Sequence, residues 1–416
     1  MTSETPYQHA SAVSPVGCPA RHNGTWPLTF SPLEYADRLL RTKTLMKAQG
    51  IEVLLVFDPA NMNYLTGYDG WSFYVPQLIV VALAEPEPLW IGRGIDLNGA
   101  RETTYVDDGN IYAYSDRYVH HDHRHPMDFV AHILRERELD NARIGLDMDS
   151  YYFSARGFEV LRRQLPHANF TDVTRLISGL RSIKSPQELE YMRQAGQIMQ
   201  RVMKVALGHI EPGIRQCDAV GEIYRAQMRG TQAYGGDYPA IAPMLPTGRG
   251  TSSPHLTWTD KPFVRDEACI LELAAARYHY HCPMARTVYM GSPPKRLVDA
   301  AMIVADGVQA ALEAVKPGAT CEAIEAAWRS VTAPRGIVKE SRIGYSMGLN
   351  YPPDWGEHTM SLRPGDRSVL EPGMTFHLIP GIWMDDWGVE ISESFVVTAD
   401  GHELLAPFPR KLFIKP

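Results

Sequence analysis

The sequence predicts an α/β protein of two domains, and three observations carry that prediction. The chain has 416 residues, more than one hydrophobic core ordinarily organises. Its first part alternates short β-branched runs with amphipathic stretches, the pattern of strands interleaved with helices. Two helix-start signatures of one form, Ser31-Pro32-Leu33-Glu34 and Ser185-Pro186-Gln187-Glu188, open the two parts. Each has a hydroxyl to cap the helix, proline at the first helical position and glutamate three residues after the cap.

The elements follow in order. Residues 1–30 are expected to be a flexible arm, because Met1 to Pro27 is polar with scattered proline and glycine. It lacks the basic segment and apolar block of a secretory signal. The first domain is placed at 31–184. A helix runs from the Ser31 cap to Gln49 and is closed by Gly50. Ile51–Phe57 is an apolar, β-branched strand, and Asp58-Pro59-Ala60-Asn61 is read as a turn. Leu78–Leu83 and Pro88–Ile91 are strands, Met127–Glu136 a helix, Ile144–Leu146 a strand and Ser154–Leu165 a helix. The second domain is placed at 185–416 and begins with a long helix through Ala206. Pro212-Gly213 precedes Cys217-Asp218-Ala219 and a helix; Pro317-Gly318 precedes Cys321-Glu322-Ala323 and another. Strands follow each: Cys269–Ala274 and Thr287–Met290 after the first, Met374–Leu378 and Glu390–Thr398 after the second. Two such halves suit a duplicated α/β unit.

Bulk chemistry narrows the function. A net charge of -7 gives no basic face for a nucleic-acid backbone. Five cysteines, an odd number, with no CxxC pair argue against a disulfide framework or zinc knuckle and for reduced thiols in the cytoplasm. No apolar run reaches the roughly 18–20 residues of a membrane span. The expectation is a cytoplasmic protein with neither nucleic acid nor membrane as a partner.

The second part resembles the pita-bread fold of the methionine aminopeptidase, prolidase and creatinase family. The matching pieces are Ser182-Ile183-Lys184-Ser185-Pro186-Gln187-Glu188, Ala285-Arg286-Thr287-Val288 and Leu370-Glu371-Pro372-Gly373-Met374. Asn63-Tyr64-Leu65-Thr66-Gly67 resembles a piece of the creatinase-type N-terminal domain. The resemblance implies a creatinase-type α/β domain followed by a pita-bread catalytic domain, and a homodimer. Peptidases of the family hold two metal ions with two Asp, one His and two Glu. Those positions fall here on Glu272, Pro283, Tyr345, Ile379 and Ser392. Pro and Ile cannot ligate a metal, and Ser and Tyr are poor ligands for a dinuclear site, so no metal is expected.

Longer stretches resemble the ectoine hydrolases: Gly67 to Val75, Arg286-Thr287-Val288-Tyr289, Tyr351-Pro352-Pro353-Asp354-Trp355-Gly356-Glu357 and Met360 to Arg367. That resemblance implies opening of a cyclic amidine carrying a carboxylate. Creatinase-like action on another guanidino or amidine acid, a metal-dependent prolidase, and a non-catalytic binding module are the alternatives. Ring opening needs a nucleophile or base and an acid for the departing nitrogen. Glu272, in the apolar run Ile270–Ala274, is the candidate for attack or for activating water. His255, where the resembled family has its catalytic histidine, is the candidate proton shuttle, with His279 and His281 as competitors. Aromatic faces suit a delocalised cation, and the candidates are Trp71, Phe73, Tyr74, Trp258, Trp355 and Trp383. In creatinase-like dimers the segment of the first three reaches the partner's site. Tyr345, Asp237 and Tyr238 are further candidate substrate contacts, and Arg286 is the candidate for the substrate carboxylate. Glu390 and Glu393 flank Ser392, and strand alternation allows only one of the two to face the pocket.

Overall fold

The computed structural model describes residues 24–416; residues 1–23 of the expected arm, with Cys18, lie outside the described residues. The chain divides into two compact units, Met1–Leu180 and Arg181–Pro416. Among the described residues no helix is long and apolar enough to cross a membrane, and Cys217, Cys269, Cys282 and Cys321 form no disulfide.

The first unit is built on a six-stranded sheet. Its strands are β1 (Val53–Val56), β2 (Leu78–Ala82), β3 (Leu89–Arg93), β4 (Ile111–Tyr114), β5 (Arg143–Leu146) and β6 (Asn169–Asp172), in the order β4-β3-β2-β1-β5-β6. β2 runs antiparallel to β1 and β3, and the other pairs are parallel. The four inner strands fall on the apolar runs of the sequence. β4 and β6 do not, because edge strands are half solvated and need few apolar residues; β6 has no buried residue. The helices are α1 (Pro32–Ala48), α2 (Pro59–Thr66), α3 (Leu97–Thr103), α4 (Pro126–Glu136), α5 (Ala155–Gln164) and α6 (Leu176–Arg181). Ser31 Oγ accepts from the Glu34 N–H, as its cap signature requires.

Two expectations are corrected here. Asp58-Pro59-Ala60-Asn61 opens a helix: Asp58 accepts from the Asn61 N–H at 2.9 Å and Pro59 takes the first helical position. Residues 24–30 are not a loose arm. The Thr25 N–H and hydroxyl donate to Glu102 at 2.7 and 2.9 Å, Phe30 is buried, and the Arg38 guanidinium lies 3.9 Å from its ring centroid. A buried arginine needs such a ring and its Glu34 partner, 2.8 Å away, to offset lost hydration.

The second unit begins with α7 (Pro186–His209), whose first turn carries the full Ser185/Glu188 capping box. α8 (Gln216–Arg229) packs on it, and α9 (Lys295–Ala314) pairs likewise with α10 (Cys321–Thr332). The Pro-Gly turn in each pair places its glycine at positive φ, 93° for Gly213 and 83° for Gly318, where a side chain would be strained. A long hairpin, β7 (Glu267–Arg277) and β8 (Tyr280–Met290), follows the first pair. After the second come β9 (Gly344–Met347), β10 (Gly356–Leu362), β11 (Thr375–Leu378), β12 (Ile382–Trp383), β13 (Gly388–Val389), β14 (Glu393–Val397), β15 (His402–Leu404) and β16 (Phe413–Lys415). They form a sheet β10-β9-β11-β14-β15 and a small hairpin β12-β13, while β16 joins β8 and β7. The expected strand Glu390–Thr398 is interrupted. Residues 390–392 leave the ladder and bond to β8 instead, with the Glu390 N–H donating to Thr287 Oγ1 at 2.8 Å and the Ser392 N–H to Ala285 O at 3.1 Å. That crossing ties the two sheets together.

Candidate active site

Strand alternation decides which side chains can meet. In the β7–β8 hairpin Glu272 pairs with Ala285 and Ala274 with Pro283, so these four share one face. Arg286, opposite Leu271, points to the other. There its five N–H donors are all used: Nε on Pro409 O (2.9 Å), one terminal nitrogen on Ala285 O and Ser392 O (2.8 and 2.5 Å), the other on Glu393 Oε1 and Phe408 O (2.7 and 2.8 Å). The pair is fully buried. Arg286 is therefore a structural anchor with no donor left for a substrate carboxylate, and Glu393 is its counter-ion outside the pocket. Glu390 is the glutamate on the Glu272 side.

The opposite wall is the second sheet. Tyr345 pairs with His377, and His377 with Ser394, on neighbouring strands. The Tyr345 hydroxyl accepts from Trp355 Nε1 at 2.7 Å and lies 3.1 Å from His377 Nδ1. His377 Nε2 lies 2.8 Å from Ser392 Oγ, which accepts from the Ala285 N–H at 2.6 Å. The chain Trp355–Tyr345–His377–Ser392 thus locks the wall to β8 through hydrogen bonds. Burial, with smaller contributions from Arg286 and Arg342, brings His377 down to about 3, so this imidazole is neutral and serves as a fixed spacer. Ala240, Ala274 and Trp355 pack together with Tyr345, closing the site beside Glu272.

The electrostatics are set by the burial of two carboxyl groups. Glu272 is 6% exposed; burial, then the charge of Asp354, push it up to about 8. Glu390 is 1% exposed and stands well above the usual carboxylate range, through burial and the neighbouring Glu272. Its Oε2 has no hydrogen-bond partner among the described residues. Against the upward push of burial, Asp354 is held below its usual range by His358, 2.6 Å away, and by the Gly356 N–H at 3.0 Å. Lys339 is brought down to about 8 by burial, opposed by the attraction of Glu390. Carboxylates desolvated in this way favour a cation that neutralises them. Behind the Asp354–Trp355 turn, Glu357 is buried against Lys184 Nζ at 2.7 Å, which fixes the strand that carries the turn.

Of the residues expected from sequence, Glu272, Glu390, Tyr345, Trp355 and Trp383 come together here, Trp383 through Lys339, whose ammonium lies 4.2 Å from the Trp383 ring centroid. Others do not. Trp258 packs edge-on against Tyr224 at 6.3 Å, on the helical side. Asp237 accepts from the His279 N–H at 3.2 Å and Tyr238 lies 4.9 Å from the His279 ring, so both belong to the hairpin turn. His281 Nε2 is occupied by the Ala240 N–H at 2.8 Å. His255 is exposed; its loop is held along the β7 edge, where Met244 bridges Glu272 and the Leu245 N–H donates to Thr257 O at 3.1 Å. Trp71, Phe73 and Tyr74 lie in the first unit, with Trp71 59% and Tyr74 60% exposed. Sequence reasoning missed Lys339, Asp354 and His377. His377 carries a faint signal, a histidine inside the apolar run Thr375–Leu378. Asp354 sits within one of the resembling motifs. Lys339 carries none, since a lysine in a polar loop reads as solvated.

The side chains at the five positions where the family's peptidases hold metal are largely spent or without donors. Pro283 and Ile379 offer no donor, while Tyr345 and Ser392 are bound to each other through His377. Among the described residues no three His, Cys, Asp or Glu side chains are grouped to hold an ion.

Comparison with known proteins places this geometry in a lineage. Residues 190–399 match the model of metallopeptidase family M24, and residues 38–183 match the creatinase/prolidase N-terminal domain. The chain is similar to an ectoine hydrolase of Halomonas elongata, 48% identical over 93% of this chain and 99% of the relative. An uncharacterized hydrolase/peptidase of Sinorhizobium fredii is 46% identical over 93% and 99%. Among solved structures, a dipeptidase of Mycobacterium ulcerans superposes with a TM-score of 0.76 at 22% identity, covering 93% of this chain and 99% of its own.

Proposed function

We propose, from the premise that the chain belongs to metallopeptidase family M24, with that family's creatinase-type N-terminal domain and pita-bread fold, and is a hydrolase of C–N bonds, that it opens the cyclic amidine ring of ectoine without a metal. The observation that carries this reading is the pair of buried carboxyl groups Glu272 and Glu390, both raised in pKa by burial and Glu390 also by the charge of Glu272, with Trp383 next to Glu390 across Gly381 and Trp355 packed on Ala274 of the Glu272 face. An amidinium ring supplies the missing positive charge, and its N–H groups fit a carboxylate in the manner of a guanidinium. The Halomonas elongata relative described as an ectoine hydrolase supports the choice of substrate. The donor chemistry at the five ligand positions supports metal independence.

In this reading Glu390 holds the amidinium nitrogens. Glu272 either attacks the ring carbon or takes a proton from water as the water oxygen bonds to that carbon. In the second case the carbon becomes tetrahedral and neutral. Protonated Glu272 returns its proton to one ring nitrogen, the C–N bond breaks, and the hydroxyl collapses to the amide carbonyl as its proton passes to the released amine. Amidinium and water thus give N-acetyl-2,4-diaminobutyrate bearing an ammonium group. His255, exposed on the loop beside β7, is our candidate for passing protons to solvent. We read the protein as a homodimer in which the Trp71–Tyr74 segment, with Trp71 and Tyr74 exposed, serves the partner's site.

The test is incubation of chelator-treated protein with ectoine, followed by proton NMR. Ring opening at a rate unchanged by chelator is the expected result. Turnover only after metal is restored refutes the metal-free mechanism. No turnover in either state refutes ectoine as the substrate and directs the search to guanidino acids.

A further inference from the structure

An amidine acid carries a carboxylate as well as a cation, and the two must be held at different ends of a pocket. Glu272 and Glu390 account for the cationic end. Arg286, the anion site expected from sequence, is spent on Glu393 and four carbonyls. Arg342 stacks on Tyr345, with its guanidinium 4.4 Å from that ring centroid, and donates one N–H to Ser361 at 3.1 Å. Two further donors, Lys339 Nζ and Trp383 Nε1, lie beside Glu390 at the β12–β13 hairpin.

Trp383, on β12, has a buried indole N–H with no acceptor among the described residues. Such a donor is costly to leave buried and unmet, and a ligand oxygen reaching it beside the Lys339 ammonium would satisfy it. Lys339 Nζ lies 4.2 Å from the same indole's centroid and donates one hydrogen to Gly381 O at 2.8 Å. An ammonium has three N–H groups, so two remain. Gly381 is wedged between this cation and the acid. A β-carbon there would come within 2.4 Å of the Trp383 ring and 2.8 Å of Glu390 Oε1. Only glycine lets the indole, the ammonium and the carboxylate crowd so closely. Donor and acceptor ends of the pocket are therefore adjacent across one residue.

We infer that Lys339 Nζ and Trp383 Nε1 form the subsite for the substrate's carboxylate, and so select amidine acids over uncharged amidines. The inference rests on the cyclic-amidine reading above and adds to it the specificity determinant. A lysine suits this place better than a second structural arginine, since its compact charge can turn its free hydrogens toward a small ligand. Lys339 also faces Glu390, whose proton affinity it lowers. Its loss would therefore weaken amidinium binding too, but that effect falls alike on substrates with and without a carboxylate. The ratio between the two substrates isolates the subsite.

The experiment measures kcat/KM for ectoine and for its decarboxylated ring, 2-methyl-1,4,5,6-tetrahydropyrimidine, in the wild-type protein and in Lys339→Met, Lys339→Arg and Trp383→Phe. Wild type is expected to prefer ectoine. Lys339→Met should lower that preference by about 10- to 100-fold, the range of a charge-assisted hydrogen bond, mainly through KM. Lys339→Arg should restore most of it, and Trp383→Phe should lower it several-fold. If Lys339→Met reduces both substrates in equal proportion, the subsite assignment is wrong. Should that variant fail to fold, the Trp383→Phe ratio decides, and an unchanged ratio there overturns the assignment. Wild type inactive on both rings instead refutes the cyclic-amidine reading, and the subsite with it.

Discussion

Replacing Glu272 by glutamine separates the contribution of this residue to chemistry from its cost to the fold. The side chain is buried and accepts no hydrogen bond from a described residue, and its proton affinity is raised from 4.5 to about 8. A carboxyl whose pKa is raised by folding costs nothing below its unfolded value, because it is protonated in both states. The cost begins as pH rises above 4.5, grows through the interval and levels off above about 8. At 1.36 kcal/mol per unit, ionising or holding protonated this group costs the folded state about 3 kcal/mol at pH 7 and about 5 kcal/mol above pH 8. Glutamine is nearly isosteric and never ionises. Glu272→Gln should therefore match wild type near pH 4 and exceed it at pH 7. For a unit of this size, about 3 kcal/mol corresponds to a rise of roughly 6–12 °C in Tm. Turnover should meanwhile fall at least about 10³-fold, the loss typical when a base or nucleophile is removed. The assay is thermal unfolding of both proteins between pH 4 and 9, with ring opening followed at pH 8. A Tm difference that does not grow with pH, or a variant that keeps its activity, would refute the reasoning.

Three other outcomes are expected. kcat/KM should climb with pH and level off above about 8, because free-enzyme Glu272 must be ionised to act; Asp354→Asn should move this limb to lower pH, since the Asp354 charge helps raise Glu272, and an unmoved limb would assign it to another group. Arg286→Met should strand Glu393 as a buried, unpaired charge and cost about 3–5 kcal/mol, a drop in Tm on the order of 10 °C, while KM at a permissive temperature stays near wild type; a selective rise in KM with Tm unchanged would return Arg286 to the pocket.

Much of the fold was legible because it is written in local chemistry. The Ser31 and Ser185 caps, the inner strands of the first sheet and the helix from Pro186 all follow from hydroxyl caps, proline placement and apolar periodicity. What escaped was what neighbours decide. β4 and β6 are edge strands and need few apolar residues. Asp58-Pro59 reads equally as a turn or a helix start until the following residues pack. Residues 390–392 break an apolar run because their backbone groups find partners on β8.

The site divides along the same line. The sequence by itself determined that Glu272 would lie in an apolar strand, because residue type and apolar patterning are properties of the chain alone. That Pro283, Tyr345, Ile379 and Ser392 stand where the family's peptidases have metal donors is what the family resemblance implied. Only the tertiary structure decided that Glu390 and not Glu393 meets Glu272, that Arg286 spends every donor on the fold, and that Lys339 sits at Trp383. Each of those depends on a partner distant in the sequence, 107 positions away for Arg286 and Glu393, and a buried charge takes its role from the partner that folding brings to it.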